Sequence, residues 1–376
     1  MFLTSCSHEQ ITNFFGKKAG NLTYPRQTKH SLKPKYKTGS FENCTTPAKY
    51  QRRETDGLQN ATSDVIYIAC KEIAFKAPKS KIQKTSNVIY GILSQAGGEG
   101  PLRRNAIRNT WMSELATKEN PNHGAYFVVA GKWNDIKEEF EMFQDMIWID
   151  QAEVYNGARS VLPLKTLSFF AVAHIFANDL NDGGWKYAMK VDDDSYVNVR
   201  KILQHIQELD EKDSNCFGLV NTRAVKPDRE PGHKWSVSST MYPESQFPLY
   251  PVGAGFGVSR NFVKDAFEGG HFMSFRPMAF EDVAIGMLAE RTGYYSPKHI
   301  KGFVRDDMGR KYRKRKVKCM LESKDMHACF NDVDVGIDGN FTIQHHVDAD
   351  DFKIIHQIVR RQQVNLGWPI KAELIV

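Results

Sequence analysis

Apolar residues in this chain fall into two textures that take turns along its length. Val88–Ser94 (VIYGILS), Ala125–Ala130 (AYFVVA), Met146–Asp150 (MIWID) and Tyr187–Val191 are short continuous runs, rich in β-branched and aromatic residues, and read as buried strands. Between them, Arg103–Trp111, Trp133–Phe143 and Val161–Leu180 space their apolar positions at three and four, the period of a helix. The third is apolar nearly all round, which suits a helix buried against a sheet. A loop, Gly97–Pro101, separates the first strand from the first helix. Strands alternating with helices at this rhythm predict an α/β fold with a mainly parallel, doubly wound sheet.

The flanks differ from this centre. Residues 1–86 are polar and basic without sustained periodicity and read as an irregular stem, with one short ordered piece at Val65–Cys70. Order is expected from Asn87, so the chain divides into a stem at 1–86 and a catalytic domain at 87–376. In the second half the pattern gives a helix at Val199–Leu209, a strand at Phe217–Asn221 and an aromatic, proline-containing loop at Trp235–Pro251. The run Gly253-Ala254-Gly255-Phe256-Gly257-Val258-Ser259 leads into a helix at Asn261–Phe267. Its glycines let the backbone approach a ligand or a neighbouring strand. The run is not a dinucleotide fingerprint, because Val258 holds the sixth position. Another helix opens at Phe280-Glu281-Asp282-Val283 and runs to Glu290, and Phe341–Val347 (FTIQHHV) reads as a strand.

Candidate chemistry concentrates where the Tyr187 strand ends, at Lys190-Val191-Asp192-Asp193-Asp194. Three adjacent carboxylates repel one another unless a cation sits among them, and a hard divalent ion completed by phosphate oxygens is the natural resident. The end of a strand in an open α/β sheet is also where ligands bind. An EF-hand is excluded because Tyr196 and Val197 stand where it needs oxygen ligands and glycine. A P-loop is excluded because its motif occurs nowhere in the chain. A solvated acidic turn is the plain alternative. Glu281 and Asp282 are either dipole-stabilised N-terminal carboxylates or members of the site. The paired His345 and His346 are either structural or further ligands.

Composition narrows the partners. The chain has 376 residues, 41% hydrophobic and 25% charged, with a formal charge of +7. That supports a sizeable core and agrees with an anionic ligand such as a nucleotide diphosphate. A nucleic-acid module based on the basic run Arg310–Lys318 would leave the aspartates unexplained, so nucleic acid is not expected as a partner. Six cysteines without a CxxC pair exclude a disulfide scaffold, although Cys319 and Cys329 could close a loop in an oxidising compartment. Sequons at Asn21, Asn43, Asn60 and Asn340 hint at a secretory route. Met1–Phe15 has no continuous apolar run.

Taken in order, six blocks resemble the β-1,3-galactosyltransferase family, glycosyltransferase family 31, which includes β-1,3-N-acetylglucosaminyltransferases and fringe-like relatives. They are Arg103–Trp111 (RRNAIRNTW), Leu162–Thr166 (LPLKT), Lys190–Asp194 (KVDDD), Tyr250–Ser259 (YPVGAGFGVS), Glu281–Val283 and the His345–His346 pair. The resemblance spans roughly 87–358 and implies a GT-A-type fold. It also implies an Mn²⁺ or Mg²⁺ ion, a UDP-sugar donor, a glycan or glycoprotein acceptor, and an inverting reaction that makes a β1,3 linkage. The family pattern adds the Golgi and a type II membrane anchor; none is found in Met1–Phe15, so either a first exon is missing, the favoured reading, or the chain is an atypical soluble member. On that pattern Asp192, Asp194 and His345 hold the metal, with His346 a possible substitute for His345. Asp193 faces the donor, Asp282 is the base, and Glu281 binds a sugar hydroxyl. Cysteines that the family often carries are replaced around Gly184-Trp185 and Pro251-Val252, so its disulfide pairing is not carried over.

Loss of UDP builds negative charge that cations can offset, which makes Arg104, Arg108, Lys165 and Lys190 the donor-side candidates. Trp235 and Tyr250 are candidates to stack on a sugar, against ordinary core packing, and Gly255 is grouped with them on the acceptor side. The leading donor is UDP-galactose. UDP-N-acetylglucosamine is the alternative, and a non-catalytic UDP-sugar-binding relative is the reading from another class.

Overall fold

The computed structural model describes residues 51–52, 64–68, 71–78, 87–115, 124–155, 160–178, 185–209, 216–221, 225–272, 280–293, 297–304 and 341–365. The strands in chain order begin with β1 (Gln51–Arg52), β2 (Asp64–Ile68), β3 (Lys71–Lys76), β4 (Val88–Leu93), β5 (Ala125–Ala130), β6 (Met146–Ile149) and β7 (Tyr187–Asp192). After them come β8 (Tyr196–Val197), β9 (Cys216–Val220), β10 (Pro251–Ser259), β11 (Pro297–His299), β12 (Phe303–Val304) and β13 (Ile343–Gln344). The helices are α1 (Gly100–Arg108), α2 (Trp133–Phe143), α3 (Leu162–Asn178), α4 (Val199–Gln207), α5 (Arg260–Glu268), α6 (Glu281–Thr292) and α7 (Ala349–Asn365).

Ten strands form one sheet in the order β1-β2-β3-β6-β5-β4-β7-β10-β9-β11. Its centre, β6-β5-β4-β7, is parallel. Those strands are continuous apolar runs because both faces of the sheet are covered. Alternate residues of β4 divide between two cores. Ile89 and Leu93 join Phe169 and Phe170 of α3, Phe262 of α5 and Ile285 of α6. Tyr90 and Ile92 join Ile107 of α1, Ile136 of α2 and Phe352 and Ile355 of α7. α3 is apolar all round because it lies between the sheet and the pair α5 and α6.

The fold is α/β, as expected, with a sheet that is mixed outside its parallel centre. β3 runs antiparallel to β6, and β10 runs antiparallel to both β7 and β9. Order also starts before Asn87: β2 and β3 extend the sheet, and Ile66, Ile68, Ile73 and Phe75 are buried in its core. Their alternating apolar positions sit among enough lysines and polar residues to resemble a stem. α1 begins at Gly100, since Pro101 in the first turn starts a helix as readily as it ends a loop.

The glycine-rich run is itself the strand β10. Intrinsic propensity argues against that, but neighbours fill the spaces the missing side chains leave. A Cβ on Gly257 would lie 2.1 Å from the ring of Phe217. Pairing of β10 with β9 shifts register between Pro251 and Phe256, so the segment nearest α6 is free of β9. A second sheet, β12-β13-β8, lies beyond the end of β7.

Gly286 shows how α6 is seated. A Cβ there would lie 2.6 Å from the carbonyl oxygen of Leu249 and 2.9 Å from the Cβ of Tyr250. Alanine would gain about 1 kcal/mol of helix propensity, but overpacking against backbone costs about 1–3 kcal/mol. Gly286→Ala should therefore lower the free energy of unfolding in a denaturant titration. An unchanged or higher value would mean that α6 is loosely seated.

Candidate functional site

β7 delivers the aspartates to the carboxyl edge of the parallel strands. The Asp193 amide donates to the Leu93 carbonyl at the end of β4, and the Ser195 amide closes the turn onto the Asp192 carbonyl. The Ser195 hydroxyl donates to the Ala254 carbonyl, 3.0 Å away, which ties the turn to β10. β8 then pairs antiparallel with β13, Tyr196 opposite Gln344 and Val197 opposite Ile343. Continuing that register places His345 and His346 beside Ser195 and Asp194, and the Val347 amide donates to the Asp194 carbonyl at 2.8 Å.

An ordinary strand would send consecutive side chains to opposite faces. His346 instead has φ +59°, a left-handed conformation uncommon for histidine. The turn ends β13 after two residues, short of the expected strand through Val347, and stacks the rings of His345 and His346 at 3.8 Å. His345 Nε2 lies 3.2 Å from Asp194 Oδ1 and 3.6 Å from Asp192 Oδ2, while His346 Nδ1 lies 3.4 Å from Asp194 Oδ2. One ligand atom from each of Asp194, His345 and His346 fits within 4.8 Å. His345 Nδ1 is buried without a hydrogen-bond partner. Two imidazoles with a carboxylate fit a divalent transition ion better than Mg²⁺, which prefers oxygen alone. Burial would raise the Asp194 pKa, but hydrogen bonds from both histidines and the charge of Arg103 outweigh it and hold the carboxyl well below its usual range. Asp192 moves the other way, to about 6, pushed by burial and by the neighbouring Asp194 and Glu281, with Lys190 opposing.

The second half of the site is the N-terminus of α6. Glu281 and Asp282 occupy its first turn, and the Val283 amide donates to Asp282 Oδ1 at 2.7 Å. Burial and repulsion from Glu281 raise the Asp282 carboxyl to about 7, against the Val283 amide and Lys190. The two halves meet at Lys190. Its buried Nζ lies 2.6 Å from Asp192 Oδ1 and 2.9 Å from Glu281 Oε1, and it also donates to the Gly253 carbonyl. Burial opposes its charge, but Asp192 and Glu281 hold the ammonium above its ordinary pKa. A Cβ on Gly253 would lie 2.8 Å from Glu281 Oε1 and 3.6 Å from Asp282 Oδ2, so bare backbone lets both carboxylates lie against β10.

Several expected contacts are elsewhere. Arg104 is fully buried, paired with Glu139 and donating to Ser94 Oγ and to the Gln95 carbonyl. Arg108 pairs with Asp145 and Glu139 and lies over Phe143. Lys165 is buried and donates to the Ser94 carbonyl, Tyr155 OH and Glu153. Of the four donor-side candidates, these three are engaged with acceptors of the framework and Lys190 with Asp192, Glu281 and Gly253. Besides Lys190 on Asp192, Arg103 reaches the aspartates, its Nη1 donating to Asp193 Oδ1 at 3.1 Å. Which of two adjacent arginines faces the site depends on the rotation of α1, which composition does not reveal.

Gly255, grouped with the acceptor side, is a packing position of β10. It lies opposite Val191, and Ile343 Cδ1 would be 2.4 Å from its Cβ, so it serves packing between the two sheets. Tyr250 is half-buried, edge-on to Phe247 with ring centroids 6.1 Å apart, and receives a 3.5 Å hydrogen bond from Asn221. Trp235 is 56% exposed and rests on Phe280, the residue before Glu281. Arg310–Lys318, Cys319, Cys329 and all four sequons lie outside the described residues.

A family model described as Galactosyltransferase matches residues 102–299. The chain belongs to this family, glycosyltransferase family 31. The match includes the aspartate block, β10 and Asp282, and stops short of His345, His346 and α7. A β-1,3-galactosyltransferase of Arabidopsis thaliana is 27% identical over 231 residues, covering 58% of this chain and 33% of that protein. A lactosylceramide 1,3-N-acetyl-β-D-glucosaminyltransferase of Xenopus laevis is 26% identical over 226 residues, covering 57% of each. The chain thus spans from a third to under three-fifths of these relatives. Mouse xyloside xylosyltransferase 1 superposes with a TM-score of 0.31 at 9% identity, over 69% of this chain and 97% of that one.

Two stability measurements check this electrostatic reading. Asp282 binds its proton more tightly in the native state than at the ordinary value of 3.8, so that contribution to stability is lost as pH rises toward 7. In EDTA, Asp282→Asn should melt increasingly above wild type from pH 5 to pH 7, with a constant gap beyond; a gap that does not change with pH would contradict the raised carboxyl. Lys190→Met leaves buried carboxylates unpaired and should cost about 3–5 kcal/mol near neutral pH by chemical denaturation. A loss below about 1 kcal/mol would show that the ammonium is not the tie between the halves.

Proposed function

We propose that this chain is an inverting glycosyltransferase, moving galactose from UDP-galactose to a sugar hydroxyl of a glycan or glycoprotein in β1,3 linkage. The observation that carries this reading is the Lys190 bridge, which sets the Asp194, His345 and His346 cluster beside a carboxyl poised near neutrality. Family membership supplies the reaction class.

The acceptor oxygen attacks the anomeric carbon from the face opposite UDP. The bond from that carbon to the β-phosphate oxygen breaks, UDP leaves, and the configuration inverts. Asp282 takes the hydroxyl proton, and a base with a pKa of about 7 is suited to holding it at neutral pH. Glu281, kept in place by Lys190, borders the same space and can hold a second sugar hydroxyl. Asp194, His345 and His346, with Asp192 beside them, would hold a divalent ion, Mn²⁺ by donor chemistry, which neutralises charge on the departing diphosphate. Asp193, oriented by Arg103, lies on the donor side. Exposed Trp235, backed by Phe280, offers an apolar face to the acceptor.

The name of the Xenopus relative supports a second reading, transfer of N-acetylglucosamine on the same scaffold. The family also suggests a Golgi lumenal setting. No helix among the described residues is long and apolar enough to cross a membrane. Residues 87–376 are the proposed catalytic unit, joined by β2 and β3, with the preceding segment as stem.

UDP release by the full chain would be compared with UDP-galactose, UDP-N-acetylglucosamine and UDP-N-acetylgalactosamine, with and without β-linked acceptors, in Mn²⁺ and in EDTA. UDP-galactose should be turned over best, and EDTA should abolish the activity. Below pH 7 the value of kcat/KM should fall about tenfold per unit as Asp282 takes its proton. Asp282→Asn should retain UDP binding and lose about 10²–10⁴-fold in kcat. Near-normal turnover by that variant would remove Asp282 as the base, and absence of UDP binding by folded protein would sink the transferase reading.

A further inference from the structure

The histidines of the cation cluster come from a part of the chain outside the family match, and little backbone pairing holds them. β8 and β13 are two residues each, so side chains must fix their position. Tyr196 is the pivot: it lies two residues after Asp194 and pairs with Gln344, the residue before His345. Its ring is fully buried among Phe341, Phe352 and His356, with centroids 5.8, 6.1 and 6.1 Å away.

The Tyr196 hydroxyl lies 2.7 Å from His356 Nδ1, on α7. Burial, with the charge of Arg360, lowers His356 to about 4, while burial raises the Tyr196 phenol above its ordinary value. A neutral imidazole and a phenol share this one hydrogen bond, and the imidazole tautomer sets which of them donates. Glu114, in the 3₁₀ turn Trp111–Leu115 that follows α1, lies 3.5 Å from the same nitrogen. Arg360 and Arg200 both act on Glu114. One buried polar group thus joins α7, the 3₁₀ turn and the strand after Asp194.

We propose that the Tyr196–His356 hydrogen bond is a positioning pair for the cation site, through which docking of α7 sets the relation of Asp194 to His345 and His346. The inference rests on the metal reading of that cluster. It assigns α7 a role in cation affinity, since partners one step removed from metal ligands typically govern affinity by about 10–100-fold. Neither residue touches the cation or the substrate.

The test is a double-mutant cycle on the full chain, reading the Kd for Mn²⁺ from the electron paramagnetic resonance signal of the free ion, with thermal melts alongside. Tyr196→Phe and His356→Leu should each raise that Kd about tenfold. The double variant should be no worse than His356→Leu alone, because both changes remove one bond. His356→Gln, whose amide oxygen can accept from the hydroxyl, should recover most of the affinity. Ile136→Val, in the buried face of α2, should lower the Tm without changing the Kd. A Kd within twofold of wild type in Tyr196→Phe, or losses that multiply in the double variant, would overturn the proposal. If His356→Leu does not fold, Tyr196→Phe decides alone, since it removes a single oxygen. Wild-type protein that does not bind Mn²⁺ would overturn the metal reading itself, and the inference with it.

Discussion

One buried ammonium holds two carboxylates that would otherwise repel each other. Asp192 ends β7, Glu281 opens α6, and nothing in the backbone joins these elements at that point. Lys190 reaches both because the antiparallel pairing of β7 with β10 places it opposite Phe256, beside the stretch of β10 that leaves β9. Burying charges such as Lys190 and Glu281 costs several kcal/mol each unless the geometry is good. Here the ammonium has three oxygen acceptors, matching its three protons. Apolar packing seats the body of α6, and this contact ties its first turn, beside Asp282, to the end of β7.

The same economy of cations explains the opposite behaviour of neighbouring aspartates. Asp194 receives both histidines and feels Arg103, and stays ionised. Asp192 and Asp282 share a single lysine with Glu281 and are left closer to neutrality. Titratable groups pushed apart in this way within one cleft are the pattern that acid–base sites share. The buried pairs of Arg104, Arg108 and Lys165 with Glu139, Asp145 and Glu153 are of the structural kind. Those of Arg104 and Lys165 hold the segment Ser94 to Ala96 that follows β4.

Much of this was readable from residues. Four parallel strands and the helices between them announce themselves by period, because both faces of the central sheet are covered and the runs are unbroken. The aspartates and Asp282 were visible as charges placed at element ends. What stayed hidden depends on contacts between distant segments. β10 was hidden because its glycines make room for Phe217 and Ile343, a reason written in those partners and not in the run itself. Arg104 was favoured over Arg103 because sequence spacing does not show which way α1 is turned. Lys190 reads from the sequence as a donor-side candidate and no more, because its acceptors Gly253 and Glu281 lie 63 and 91 residues away.

The small β12-β13-β8 sheet has a consequence for motion. Its strands offer only a few backbone hydrogen bonds, whereas the ten-stranded sheet is sealed by helices on both faces. Local opening draws on the least-protected elements first. Amide hydrogen exchange should therefore separate a slow centre at β4, β5 and β7 from a faster ladder at Tyr196, Gln344 and Val347. The segment that carries the histidines would open more readily than the end of β7, where the aspartates sit. Entry and escape of a cation would then follow the clock of that ladder, with the fold as a whole remaining closed.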